Sequence, residues 1–382
     1  MDWLTGGKTG EAKRLIAQLA DSTKQERTTR ELIRMGADAV PALIEALQSR
    51  EPGLPQLAAQ VIVQIGSTAS PALIKALGIA HPLLRVQVCD IMGQIKDRAF
   101  VPPLLDAVSG EFYTVRARSA SALGSIGDRQ AIQPLLKALK DSEDDVRSSA
   151  ALALGKFHDP TTFDDIANLL LDDPKIEVRR SAARAFAETK NPKTLPYLIP
   201  ALRDSFWWYE RGEGSAADLL QAIENMGRDA VDPLIEALSD PEGTVREFAA
   251  DLLGRIHDER AIEALGMAIY DLHFDVGKIA AESLARFGTT SLDVLKEALT
   301  HPEAGIREHA IGALGKIQHT SVAPLLLEAL NDPERVVRRQ AIQSLGELRD
   351  SRAVPALQEI AARRVDRELA VLAKQSLQKI WQ

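Results

Sequence analysis

The chain has 382 residues, of which 45% are hydrophobic and only 4% aromatic. Ala and Leu must therefore fill the core, which favours close-packed helices over β-sandwiches and barrels. The net charge of −8 weighs against nucleic acid as a partner, and the single cysteine, Cys89, excludes a disulfide framework within the chain. No apolar run approaches the ~20 residues of a membrane span, and the sequence MDWLTGGKTGEAKR at the start has no apolar signal core. We therefore expect a cytoplasmic protein with no transmembrane segment.

After a tail predicted for residues 1–10, an internal repeat runs through residues 11–382. Apolar residues that end segments such as VPALIEAL recur at steps of 30 to 32 residues, with one step of 36 between Leu202 and Leu238. A second column lies between them, in which an arginine is followed eight residues later by a glycine, as in Arg116 and Gly124. Self-similarity at a fixed period is the signature of a repeat array.

Each repeat is predicted to contain two helices, because apolar residues recur at spacings of three and four in both halves. Ile132, Leu135 and Leu139 form such a stripe in the first half of the fifth repeat, and Val146 and Ala150 do so in the second half. No stretch alternates with period two, so no sheet is expected. The predicted fold class is all-α: an α-solenoid of about twelve stacked helix pairs with a single continuous core.

The run D-x5-R-x7-G with a period near 31 is similar to the short HEAT-like repeats named after the phycobilisome lyases. The resemblance covers roughly residues 10 to 380 and implies a right-handed superhelix. It also implies a partner that is a phycobiliprotein or another subunit of a photosynthetic complex. Two repeats depart from the pattern, with Ala216 and Gly277 in place of the arginine. The pattern is carried by four pairs: Asp141 and Arg147, Asp173 and Arg179, Asp240 and Arg246, and Asp332 and Arg338.

These aspartates and arginines are interpreted as a structural ladder. A catalytic residue need occur only once, whereas a contact between stacked units must recur in each of them. We expect the aspartate to cap the second helix and the arginine to reach an adjacent unit. No catalytic residue and no metal site are predicted. Cys89 shares its column with alanines, and His158 and His257 lie in non-adjacent units, too far apart to share one metal ion.

The 36-residue step contains an aromatic insertion at residues 204–214, DSFWWYERGEG. Insertions in repeat proteins map to loops that often form the binding face, and Trp and Tyr dominate interface energies. The aromatic side chains either contact a partner or pack locally, and the sequence leaves both interpretations open. The residues of this insertion predicted to bind a partner are Phe206, Trp207, Trp208, Tyr209 and Arg211.

The second helices are expected to line the concave face of the solenoid. Their exposed positions carry small side chains in the fourth and fifth repeats, at Ser121, Ser148 and Leu152, and basic ones in the sixth, at Arg180 and Arg184. A partner helix could lie along this surface; a solvated face without a ligand is the alternative.

Two functions follow from these observations. The first is a non-catalytic scaffold or assembly factor that binds a partner protein through the concave groove and the aromatic insertion, without a cofactor. The second rests on the resemblance: a bilin lyase, or a subunit of one, that acts on phycobiliproteins. Under this alternative Arg180 and Arg184 would bind the bilin propionates, and the aromatic insertion would stack on the tetrapyrrole.

Overall fold

The computed structural model describes residues 2–78, 81–203, 217–362 and 366–381, with side chains from residue 7 onward. All regular elements within these ranges are helices, which confirms the all-α prediction. The chain divides into two compact units, Met1–Asn191 and Pro192–Gln382. The sequence predicts one array over residues 11–382, and each unit carries its own part of that array.

The first unit contains six helix pairs in its described residues. Residues 2–10, predicted as a tail, belong to its first helix, which is anchored by the buried side chains of Ala12 and Ile16. The helices are α1 (Asp2–Ile16), α2 (Gln25–Met35), α3 (Val40–Ala46), α4 (Leu54–Ile65), α5 (Ser70–Leu77), α6 (Pro82–Ile95), α7 (Val101–Ala107), α8 (Tyr113–Ile126), α9 (Ile132–Ala138), α10 (Asp144–Gly155), α11 (Phe163–Asp172) and α12 (Ile176–Thr189).

The second unit repeats this design in six further pairs. Odd-numbered helices are the first and even-numbered helices the second of each pair throughout the chain. The helices are α13 (Leu195–Ala201), α14 (Ala217–Glu224), α15 (Val231–Ala237), α16 (Gly243–Ile256), α17 (Ile262–Ala268), α18 (Phe274–Arg286), α19 (Leu292–Ala298), α20 (Ala304–Lys316), α21 (Ala323–Ala329), α22 (Arg335–Leu348), α23 (Val354–Ala362) and α24 (Arg367–Trp381).

The stacking of second helices depends on the glycine column. In the first unit α6, α8, α10 and α12 pack successively on one another, and in the second unit α16, α18, α20, α22 and α24 do so. A methyl group added at Gly124 would lie 2.6 Å from Cα of Ala153, and one at Gly155 would lie 2.7 Å from the carbonyl oxygen of Ala185. Glycine recurs at this position because the backbone of the next second helix passes there.

The turns between pairs also have a common geometry. At most second helices a residue at the end adopts a left-handed conformation, as at Gly127 with φ of 74° and His257 with φ of 59°; α20 is an exception, with φ of −81° at Ile317. This conformation closes the helix and turns the chain toward the next pair. His257 adds a contact to the following pair, because its Nε2 lies 2.9 Å from the carbonyl oxygen of Arg286 and its ring stacks on Phe287.

Residues 54–77 have the length and mean hydropathy, 1.4, of a membrane-spanning segment. They are folded as two helices, α4 and α5, of 12 and 8 residues, separated by a turn at Gly66 with φ of 73°. A span needs about 20 residues in one helix. Their apolar character is explained by packing, since Ala58, Val61 and Leu73 are buried within the unit.

Candidate functional site

The arginines of the second helices join consecutive pairs through aspartates of the next pair. Arg116 donates from Nε and Nη2 to the two carboxylate oxygens of Asp141, both at 2.8 Å. Arg147 binds Asp173 in the same bidentate manner, at 2.7 and 3.1 Å. We call each such pairing a rung. The second unit has two further complete rungs in its described residues, Arg246 with Asp271 and Arg307 with Asp332.

Each arginine also holds the turn of its own pair. Nη1 of Arg147 donates to the carbonyl oxygens of Asp141 and Ser142, at 2.9 and 3.0 Å. The recurring D-x5-R spacing is therefore a contact between the guanidinium and the aspartate's backbone, whereas the carboxylate of that aspartate binds the arginine of the preceding pair. Arg246 and Arg338 repeat the contact with the carbonyl oxygens of Asp240 and Asp332.

The aspartates do not cap the second helices in the expected way. The carboxylate of Asp141 accepts a hydrogen bond from the N–H of Glu143, the residue immediately before α10 begins. Asp173 does the same with Lys175, which precedes α12. The aspartate thus forms a turn ahead of the helix, because it lies two residues before the N-cap residue of the helix and accepts from the N–H of that residue.

The rungs are shielded from water. The side chains of Arg116 and Asp141 are 15% and 14% exposed. The hydrogen bond from Arg116 holds the pKa of Asp141 below its usual range, and the bond to the carboxylate raises the pKa of Arg116. Both groups stay ionised at neutral pH. Since every guanidinium nitrogen and both carboxylate oxygens of such a rung form hydrogen bonds within the stack, the complete rungs are structural elements.

The regular rung is interrupted in different ways at the seventh pair, at the ninth and tenth pairs, and at the third pair. In the seventh pair Ala216, which lies outside the described residues, stands at the arginine position. Asp240 of the eighth pair is instead bound by Arg203, at 2.6 Å from Nη2 and 3.0 Å from Nε. Arg203 follows α13, so its guanidinium reaches Asp240 from the turn rather than from a second helix.

The rung between the ninth and tenth pairs lacks both of its members. Gly277 stands at the arginine position and His301 at the aspartate position. His309 of α20 fills the space beside Gly277, with Nδ1 3.2 Å from the position of an added methyl group. Its side chain is buried against the edge of Phe274, and neither ring nitrogen has a hydrogen-bond partner among the described residues. Burial lowers the pKa of His309, with Lys278 contributing, so the imidazole is neutral at pH 7.

In the third pair the arginine is present but its aspartate is absent. Arg85 occupies the position of Arg116 and Arg147, and the residue 25 positions later is Gly110. Nε of Arg85 is buried and has no hydrogen-bond partner within the described part of the chain. We call this rung the open rung; the recurring motif alone does not reveal it.

The second-helix surface consists of the positions one, five and nine residues after the arginine. On α8 and α10 it carries Ser121, Ser148 and Leu152, which are half-buried. On α12 it carries Arg180, which donates to Glu177 at 3.2 Å, and Arg184, which is exposed. The structure thus brings these five predicted binding residues together on three consecutively packed helices of the first unit.

The second-helix surface of the second unit is different, because ion pairs between consecutive helices cover it. Arg286 binds Asp251 at 3.0 Å, and Lys316 binds Glu282 at 2.9 Å. In the first unit Arg118 of α8 pairs with Asp90 of α6 at 3.7 Å. Between α8 and α10 the contact joins Lys156 to the hydroxyl of Ser125, at 3.3 Å, without a carboxylate. The small side chains of α8 and α10 therefore leave the surface of these two helices without such an ion pair.

The structure does not describe the residues of the aromatic insertion that were predicted to bind a partner, namely Phe206, Trp207, Trp208, Tyr209 and Arg211. Their proposed contact with a partner therefore stays a prediction. The same holds for the partner of Arg179 in the next pair, since the equivalent aspartate position is Asp204, which is also outside. Within the first unit, Nε of Arg179 donates to the carbonyl oxygen of Asp173 at 2.6 Å.

The arrangement offers little chemistry of its own. Cys89 is fully buried, and burial raises the pKa of its thiol to about 11, so it is a neutral packing residue at pH 7. Among the described residues no group of three or more His, Cys, Asp or Glu side chains could hold a metal ion. What the described side chains provide is a set of contacts between units and the surfaces that these contacts leave exposed.

A second aspartate column escaped the sequence analysis. Aspartates in the turns between pairs accept a hydrogen bond from the N–H two residues later, as Asp128 does from Gln130 at 3.0 Å. Some also pair with an arginine of the preceding pair, as Asp258 does with Arg228 at 3.3 Å. The period of 31 residues was a visible signal for them, and the members are Asp97, Asp128, Asp159, Asp258 and Asp350.

Stacked helix pairs joined by such rungs define an α-solenoid, and the sequence places it in a family. Residues 70–155, 132–217, 213–285, 231–314 and 292–378 match HEAT repeats, so that the matches cover more than half of the chain. The protein belongs to the HEAT-repeat family. No curated protein matches its sequence.

Solved structures support the same fold. The chain is similar to Kap121p bound to Pho4p, with a TM-score of 0.61 and 14% identity, and to the karyopherin Kap121p bound to the SUMO protease Ulp1p, with 0.60 and 14%. Kap95p, described with RanGDP, has a TM-score of 0.53 and 14% identity. Each alignment covers 97% of this chain, which spans 49% of the two Kap121p chains and 59% of Kap95p.

Proposed function

We propose that the protein is a non-catalytic scaffold that binds a partner protein on the second-helix surface of α8, α10 and α12. The observation that carries the proposal is the contrast between this surface and the equivalent one in the second unit. Ion pairs between helices cover the latter, whereas Ser121, Ser148 and Leu152 present short or uncharged side chains. Short side chains allow the backbone of a docked helix to approach closely.

The charges beside this surface suggest what the partner contributes. Arg180 and Arg184 lie on α12, next to the uncharged positions of α10. A partner helix with small or apolar residues over α8 and α10 and acidic residues over α12 would match both features. The solved solenoids that resemble this chain include Kap121p bound to Pho4p and to Ulp1p. Those complexes support binding of a protein, without indicating which one.

The test uses a partner identified by photo-crosslinking from position 121 and then purified. Ser121→Glu combined with Ser148→Glu should weaken its binding at least tenfold, since the new carboxylates repel an acidic helix and occupy the space it needs. Arg180→Ala combined with Arg184→Ala should weaken binding as well and reduce its dependence on salt. Isothermal titration calorimetry measures both effects.

The matched control is Gln133→Glu, an exposed position on α9, the first helix of the same pair. It adds one carboxylate, as each of the two serine substitutions does, but on a first helix instead of a second helix, and should leave the affinity unchanged. Unchanged affinity in the Ser121 and Ser148 double variant, with helical circular dichroism intact, would remove this surface from the proposal.

The bilin alternative has a separate readout. Titration with biliverdin, followed by absorbance, should show no saturable shift if the protein is a scaffold only. A saturable shift that disappears in the Arg180 and Arg184 double variant would replace the scaffold with the bilin lyase predicted from the resemblance. Phycobiliproteins are the partner to test first in that case, and the cytoplasm is the compartment proposed for either function.

A further inference from the structure

The open rung at Arg85 leaves a guanidinium at the helix position that elsewhere binds a carboxylate. In the complete rungs, Nε and the adjacent Nη2 donate to the two oxygens of one aspartate, as in Arg116 with Asp141 and Arg147 with Asp173. Arg85 lies at the same position of α6, and its buried Nε has no hydrogen-bond partner among the described residues. A buried donor without a partner is destabilising, so a ligand that satisfies it gains that interaction.

The turn at Gly110 has the same backbone hydrogen bond as the turn of a complete rung. The N–H of Gly110 donates to the carbonyl oxygen of Ala107 at 3.1 Å, as the N–H of Asp141 does to that of Ala138 at 3.2 Å. Gly110 is not among the glycines with positive φ. A Cβ at this position would lie 3.2 Å from the carbonyl oxygen of Ala107, a tight contact, and 3.9 Å from Nη2 of Arg85. The guanidinium therefore lies beside Gly110, where the complete rungs have an aspartate.

Two apolar side chains accompany the open rung. Leu83 lies two residues before Arg85 at the start of α6 and is 71% exposed. Tyr113 begins α8 three residues after Gly110 and is 44% exposed. Both stand at the ends of the second helices where the rungs form. An arginine with exposed apolar side chains nearby on its own helix and at the start of the next second helix suits an acidic residue that has an apolar neighbour in its own chain.

We propose that Arg85 is a docking site for a carboxylate of a partner protein, an Asp or Glu side chain flanked by apolar residues, which completes the rung in the place of the missing aspartate. The carboxylate would accept from Nε and Nη2, and the flanking residues would contact Leu83 and Tyr113. This site is separate from the second-helix surface proposed above, and either can fail without the other.

The experiment uses the full chain and two peptides, acetyl-Leu-Asp-Leu-amide and acetyl-Leu-Asn-Leu-amide. Nε–Hε signals of the ¹⁵N-labelled protein are recorded, and that of Arg85 is assigned with Arg85→Lys. The aspartate peptide should shift the Arg85 signal in a saturable way, and the asparagine peptide should not. Acetate should act only at concentrations at least tenfold higher, because it lacks the apolar flanks.

Gly110→Asp supplies the missing carboxylate from within the chain. It should move the Arg85 signal without any peptide, abolish the effect of the aspartate peptide and raise the midpoint of urea unfolding. Gly110→Asn is the matched control, with the same size but no charge, and should still bind the peptide.

Three results would overturn the proposal. Equal shifts with both peptides would show that the carboxylate is not recognised. Wild-type binding of the aspartate peptide by Gly110→Asp would place the peptide elsewhere. Saturation by acetate with the affinity of the peptide would make this a site for small anions rather than for a partner protein.

Discussion

The rung between Arg116 and Asp141 should be a strong coupling between consecutive helix pairs, and a double-mutant cycle measures it. The perturbations are Arg116→Ala, Asp141→Ala and both together. The pair is bidentate with both distances at 2.8 Å, and the arginine donates in addition to the carbonyl oxygens of Gly110 and Glu111, at 3.1 and 2.9 Å. Loss of the arginine leaves Asp141 with only its backbone hydrogen bond from Glu143.

The burial of the pair sets the magnitude. Exposed ion pairs contribute about 0–1 kcal/mol, and loss of one partner from a fully buried pair costs about 3–5 kcal/mol. The side chains of Arg116 and Asp141 are about one-seventh exposed, so each single change should cost about 3 kcal/mol. The coupling energy should be about 2 kcal/mol. Arg116→Ala should be the more severe change, because it also removes the two bonds to the turn.

The assay is native-state hydrogen exchange of the α8 and α10 amides as urea increases. This reports the local free energy of opening, which is needed because repeat arrays do not unfold in one step. The control cycle uses Arg98 and Asp128, whose nitrogen and oxygen are 4.0 Å apart with Arg98 85% exposed; its coupling should stay below about 0.5 kcal/mol. A coupling for Arg116 and Asp141 no larger than that of the control would refute the reasoning.

Three further outcomes are expected. Gly155→Ala should cost at least about 2 kcal/mol in urea unfolding because the methyl group would meet the backbone of α12, whereas Gly305→Ala, with nothing within 4 Å, should be neutral or stabilising by about 1 kcal/mol. The hydrogen bond from Arg246 lowers the pKa of Asp271, so its stabilisation is complete above the unfolded pKa of about 4 and is lost as pH falls through the folded value. Urea midpoints of wild type and Arg246→Ala should therefore differ constantly between about pH 5 and 8 and converge in acid. Iodoacetamide at pH 7.5 should label native Cys89 at least about 100-fold more slowly than the urea-unfolded chain.

The helix pairs could be predicted because their apolar residues recur at helical spacing and the whole unit recurs near 31 residues. The recurrence of glycine at positions such as Gly124 and Gly155 can be read from the sequence. The reason for it cannot, because it depends on which helix packs against these positions in the fold. The rungs could likewise be predicted only in part. The arginine was expected to reach an adjacent unit, and it does, but the sequence did not show that its partner is the aspartate 25 or 26 residues later.

The residues of the candidate surface could be predicted from the sequence, but the difference between this surface and the equivalent surface of the second unit could not. Ser121, Ser148 and Leu152 could be assigned to one face from the periodicity of α8 and α10. That the equivalent face of the second unit is covered by ion pairs depends on how far Arg286 and Lys316 reach toward the preceding helix. Whether these side chains contact the preceding helix depends on their conformations, which cannot be read from a repeat pattern.

The departures from the repeat are more informative about function than the repeat itself. Where the arginine is lost in the seventh pair, Arg203 replaces it, and Asp240 remains satisfied. In the ninth and tenth pairs both charges are lost together, and the buried His309 fills the space. Only the third pair, among the described pairs that keep the arginine, retains a buried guanidinium nitrogen beside a position from which the carboxylate has been removed. Replacement of the arginine, or loss of both members together, keeps the charges within the stack balanced. At Gly110 only the carboxylate is lost, so the positive charge of Arg85 has no partner among the described residues. An acidic residue of a partner protein should therefore bind to the first unit, at Arg85.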